Sequence, residues 1–155
     1  MTRDYQEYLN NLFIGKEEEG LTQQLFAEHS RWINEGPTSL KSFLRYYNDF
    51  LWPHGDKILQ LLKRTKVTLG ILRGGAFEEF IARVIQPVTT GTGYDLLRDQ
   101  SILAWMGFVY EEHRPKLECS FQRADLSICS KKVSLRIADE AFDVWIPKVV
   151  IECKA

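Results

Sequence analysis

Several signals that would assign this chain to a class at once are missing. No run of about 20 apolar residues occurs in its 155 residues, so no membrane span is expected. The opening Met1-Thr2-Arg3-Asp4-Tyr5 lacks the basic-then-apolar order of a secretory leader. Cysteine is scarce: Cys119, Cys129 and Cys153 form an odd set without framework spacing. That excludes a disulfide scaffold, fits a reducing compartment and makes a cytoplasmic location the expectation. No charge dominates either, with 20 Lys and Arg against 21 Asp and Glu. A dedicated nucleic-acid binder often has a basic excess. A protein with a local basic cleft and acidic metal ligands is still compatible with a net charge of −1. Internal repeats and low-complexity segments are absent.

What remains is ordinary globular composition, 45% apolar and 26% charged, enough for one domain or a small domain with an appendage. Residues 1–66 read as a helical N-terminal region. Tyr5, Tyr8, Leu9, Leu12 and Phe13 recur at helical spacing, and Leu21, Leu25, Phe26, Trp32 and Ile33 share one side of a second helix that Gly36-Pro37 ends. Thr38 or Ser39 caps a third helix over residues 40–51, Trp52-Pro53-His54-Gly55 breaks it, and Asp56 caps a fourth.

The texture changes at about residue 67. Residues 76–84 read as an amphipathic helix, residues 87–93 as a loop, and residues 95–106 as a further helix. Strands follow, with alternation clearest where Val133, Leu135 and Ile137 are separated by Ser134 and Arg136. Helices first and strands later predict an α/β or α+β fold.

The C-terminal residues carry the chemistry. Phe142-Asp143-Val144-Trp145-Ile146 precedes a Pro147-Lys148 turn, and Val149-Val150-Ile151 rises into Glu152-Cys153-Lys154. Read as a hairpin, this places Asp143, Glu152 and Lys154 at one end of two paired strands. Glu152 and Lys154, two apart, project from one face. Carboxylates are the oxygen donors a hard cation such as Mg²⁺ prefers, and the Cys153 carbonyl would add one more. Such a cation activates a bound water and offsets phosphate charge, with Lys154 placed to orient the water.

This constellation resembles the PD-(D/E)XK nuclease superfamily, in particular type II restriction endonucleases. The resemblance rests on Asp143…Glu152-Cys153-Lys154 and is supported by Gly74-Gly75-Ala76-Phe77-Glu78-Glu79-Phe80 upstream. Many members carry a helical glutamate in a similar context that reaches the metal. The matching residue is Glu78, favoured over Glu79 because it shares a helical face with Ile71, Gly74, Ile81 and Ile85. Phe142 stands where the name-giving proline would be, a position that varies widely. The resemblance covers residues 67–155 as a partial core of a restriction-endonuclease-like mixed sheet. It implies a third strand, a helix and a further strand beyond Ala155. An alternative first ligand is Asp125, in Arg123-Ala124-Asp125-Leu126, which also opens a strand.

The resemblance implies a Mg²⁺-dependent endonuclease, with Mn²⁺ able to substitute. Double-stranded DNA would be the substrate, and a homodimer or a chain supplying the rest of the core would be the partner. Lys131, Lys132 and Arg136 lie near the site in sequence, and Lys63, Arg64 and Lys66 form a second basic run; these are the candidate phosphate contacts. Against this stand a non-catalytic helical DNA-binding or protein-interaction module, and an inactive nuclease remnant. A strand ending in Glu-Cys-Lys is also a common guard on a sheet edge. His113, Cys119 and Cys129 match no zinc-site spacing.

Overall fold

Helix gives way to strand at residue 95, and the molecule is a mixed α+β protein. A computed structural model describes residues 4–112, 114–130, 133–137 and 140–152. The described chain divides into two compact units, residues 4–85 and residues 86–152.

The first unit is helical. Helix α1 spans Tyr5–Leu12, opened by Asp4, whose carboxylate accepts from the Gln6 amide at 3.0 Å. Helix α2 spans Gly20–Glu35 and stops at Gly36, as Gly36-Pro37 predicted. Helix α3 spans Leu40–Leu44, and Ser39 accepts from the Ser42 amide at its start, at 3.3 Å. The expected single helix over 40–51 does not persist as one form. Arg45–Leu51 is π-helical, and the Trp52 amide donates to the Tyr47 carbonyl five residues back at 3.1 Å. That wider turn buries Tyr46, Phe50 and Leu51 together. Helix α4 spans Gly55–Leu62 with His54 at its cap position. Asp56 lies in the first turn instead of capping it, where its charge still suits the positive helix end.

Helix α5 is a single element, Lys66–Thr89. It passes Pro87, where a loop was expected. A proline so near the C-terminus removes only one amide from the ladder, and the Thr89 and Thr90 hydroxyls both bond the Gln86 carbonyl, at 3.1 and 2.8 Å. Leu69, Leu72, Ala76 and Phe80 pack into one core with Tyr5, Leu25, Trp32, Phe43 and Tyr46. The helical body therefore reaches past the boundary read near residue 66. Phe43 and Phe80 stack with centroids 4.3 Å apart.

Gly55 sits where α4 meets Arg73. A Cβ there would lie 2.6 Å from Arg73 Nη2 and 2.8 Å from Leu69 Cδ2. Arg73 is not free to retreat: its guanidinium lies 3.8 Å over the Trp52 ring and donates to the Leu51 and Trp52 carbonyls. Gly55→Ala is expected to destabilise the unit by about 1–3 kcal/mol, as over-packing does. Gly70, inside α5 with open space at its Cβ, should respond oppositely, Ala gaining about 1 kcal/mol of helix propensity. Thermal denaturation of the two variants should move the midpoint in opposite directions.

The second unit is built on strands β1 (Asp95–Glu111), β2 (Arg114–Cys129), β3 (Val133–Ile137), β4 (Glu140–Val144) and β5 (Pro147–Ile151). The helix expected over 95–106 is instead the first part of β1. Its Leu-, Arg-, Gln- and Ala-containing sequence suits a helix locally, but pairing with β2 from Asp95↔Cys129 to Glu111↔Arg114 overrides that preference. The β1–β2 turn places Glu112 in the left-handed region, φ 48°. Antiparallel β1, β2 and β5 form one sheet in that order, and β3 pairs with β4 in a second, two-stranded sheet. The β3–β4 hairpin is thus an excursion between β2 and β5. Its base is closed by the Ser130 amide donating to the Ile146 carbonyl at 3.1 Å.

Candidate functional site

The terminal hairpin expected from Asp143 and Glu152 does not form. Asp143 lies in β4, paired opposite Ser134 of β3. Pro147, expected in a turn, opens β5, which pairs with β2 from Cys129↔Pro147 to Leu126↔Ile151. The physical reason lies in β3: its alternating Val133, Leu135 and Ile137 take the pairing edge of β4, which leaves β5 to the well-buried end of β2.

That exchange changes which acid accompanies Glu152. Asp125 precedes Leu126 and Glu152 follows Ile151, so both flank the last pair of an antiparallel ladder at the same end. Residues opposite each other on such strands share a face. Asp125 is half-buried and Glu152 exposed. Next to Asp125, Ala124, Leu126 and Ser127 are all buried, so this end of β2 is anchored on both faces. On the other side of β2, Arg98 pairs with Leu126 and Gln100 with Ala124, which brings Asp99 of β1 to the position beside Asp125. The backbone thus aligns Asp99, Asp125 and Glu152 across three adjacent strands. Asp99 was missed by the sequence reading because its segment was taken for helix. The signal that would have found it is the cross-strand spacing, visible only once β1 is known to be a strand. Among the described residues whose side chains are placed, no group of three His, Cys, Asp or Glu converges on a metal position.

Glu78 and Glu79 exchange the roles expected of them. Glu79 is buried, 2% exposed, on the face of α5 that carries Leu72 and Ala76. It forms an ion pair with Arg83 one turn on. Glu78 is half-buried, and Ile71, expected to share its inward face, is 55% exposed. The register of α5 is set from Leu69 and Leu72 onward, and it turns Glu79, not Glu78, into the helical core.

The other candidates are scattered. Lys63 caps α4 in the left-handed region, Arg64 lies in the linker and Lys66 opens α5; all three are exposed, as a solvated helix end would be. Arg136 pairs opposite Ala141 in the β3–β4 hairpin. Lys131, Lys132, Cys153 and Lys154 lie outside the described residues, as does His113. Cys129 is a buried free thiol whose Sγ meets the Ser127 hydroxyl at 3.4 Å, among Ala124, Leu97 and Trp145. No helix among the described residues is long and apolar enough to cross a membrane.

No protein-family model matches the chain, and no curated protein matches it.

Proposed function

We propose that the chain is a metal-dependent endonuclease, or part of one, that hydrolyses DNA phosphodiester bonds, of the kind the PD-(D/E)XK resemblance implies. The observation that carries the reading is the placement of Asp125 and Glu152 at one end of the adjacent strands β2 and β5. Two carboxylates set opposite each other repel. Positive charge between them relieves that repulsion, and hard oxygen donors suit Mg²⁺, with Mn²⁺ as substitute. Asp125 replaces Asp143 as the first ligand in this reading, Glu152 stays, and Asp99 is the third acid in line. Bound Mg²⁺ would polarise a phosphate oxygen and lower the pKa of its water.

Lys154, two residues past Glu152, then has a defined task. A cation beside the attacking water orients it and offsets the charge that builds on the phosphate. The Cys153 carbonyl is an auxiliary ligand in the family pattern. The open edge of β5 supports the partner reading: among the described residues no strand pairs on its far side, and Val149 and Val150 are 46% and 44% exposed. A further strand, from more of the chain or from a second copy, would cover them.

The test is cleavage of supercoiled plasmid in Mg²⁺ by the protein and by Lys154→Ala. Nicking by the parent, reduced at least about hundredfold in the variant, is the expected outcome, the size lost when one transition-state donor is removed. No cleavage by either protein, together with no divalent-metal binding, would sink the reading in favour of an interaction module or an inactive remnant.

A further inference from the structure

The helical unit contains a buried histidine that the proposed chemistry does not use. His29, on α2, is 3% exposed, and neither ring nitrogen has a hydrogen-bond partner among the described residues. Three aromatic rings enclose it: Tyr5 of α1 at 5.4 Å, and Trp32 of α2 and Tyr46 of the π-helical segment, each at 5.5 Å. Tyr5 and Tyr46 are themselves joined through their hydroxyls at 3.0 Å. The Tyr5 ring also lies close over Gly75 of α5, where a Cβ would come within 3.1 Å. One tyrosine therefore ties α1 to α2, the π-helical segment and α5, and His29 is part of its seat.

Such a seat accepts only the neutral imidazole. A buried cation needs pairing and hydrogen bonds, and the box offers His29 neither. The charged groups facing it are mixed. Glu79 and Asp4 favour the cation, while Arg83 opposes it and already holds Glu79. The aromatic faces would recover part of the cost, about 0.5–2 kcal/mol for a cation over a ring, without supplying acceptors for two N–H groups.

We propose that His29 is an acid-operated latch, whose protonation forces open the packing of α1 on α2 and the π-helical segment. Burial, the dominant cause, lowers its pKa from the usual 6.5 to about 4. The unfolded chain therefore binds a proton more readily than the folded one. The stability His29 protects is fully present above about pH 6.5 and is lost as pH falls towards 4. This inference does not depend on the nuclease reading.

Urea unfolding of the full chain and of His29→Phe, which keeps an aromatic ring in the box without a titrating group, measures the effect. Between pH 7 and pH 4.5 the folding constant of the parent is expected to fall about fiftyfold relative to the variant. Parallel pH profiles for the two proteins would overturn the proposal. If His29→Phe does not fold, the ring proton resonance of His29 in the parent decides. No titration between pH 7.5 and 5.5 supports the latch, and a midpoint between 6 and 7 in the folded protein rejects it.

Discussion

Asp125→Asn is expected to abolish divalent-metal binding and plasmid cleavage, and Asp143→Asn to leave both nearly intact. The argument is one of strand order. In an antiparallel ladder the partner of Glu152 is fixed by the register of β5, and β5 runs against β2, with Leu126 opposite Ile151. Asp143 belongs to a different pairing, opposite Ser134. Asparagine keeps the shape of aspartate and removes the charge, so a strand carrying it should fold as before while losing most of its hold on a hard cation. Loss of residues that merely support a metal ligand costs about 10–100-fold in affinity or activity, so loss of a ligand should exceed that. Calorimetric titration with Mn²⁺ separates binding from turnover. A loss on Asp143→Asn with Asp125→Asn unaffected would return the site to the sequence-expected pair and would require β4, not β5, to adjoin the metal.

The sequence shows the helices of its first 62 residues well and its strand partners poorly, and the difference is physical. Trp32, Phe43 and Leu25 lie on faces defined by neighbours three and four residues away, so local spacing is enough to read them. Gly36 and Ser39 mark their helix ends by backbone chemistry that any reader of the chain can apply. Strand pairing is non-local. Nothing between Pro147 and Lys154 states whether β5 joins the strand just before it or one that ended 18 residues earlier, at Cys129. The nearer hairpin was the natural expectation, and the β3–β4 excursion defeats it. The π-helical turn escaped for a related reason: a one-residue shift in hydrogen bonding leaves the apolar pattern of Tyr46, Phe50 and Leu51 almost as an α-helix would have it. Glu78 and Glu79 differ by one position, about 100° on a helix, and choosing between them needed the true start of α5 at Lys66.

Trp32→Ala is expected to unfold the helical unit or bring it close to unfolding, whereas Trp52→Ala should barely affect it. Trp32 is fully buried, stacks on Tyr46 at 5.5 Å and 16°, tilts against Phe43 at 5.3 Å, and donates its indole N–H to the Pro37 carbonyl at 3.2 Å. Deleting it removes contacts to α3 and the π-helical segment at once and leaves a cavity no neighbouring ring can fill without leaving its own stack. Losses of this type run to about 3–5 kcal/mol, against a total of about 5–15 kcal/mol for a domain. For a unit of this size that lowers the thermal midpoint by about 12–40 °C. Trp52 is 51% exposed and meets the Arg73 guanidinium and the Tyr47 ring, the cation over its ring being worth about 0.5–1 kcal/mol at the surface. The comparison holds residue type constant and varies burial and contacts, read by circular dichroism at 222 nm through a thermal ramp. Equal shifts for the two variants would mean that the aromatic stack is not what holds α2 to α3. The seat of His29, which shares Tyr46 and Trp32 with that stack, would then lose its support as well.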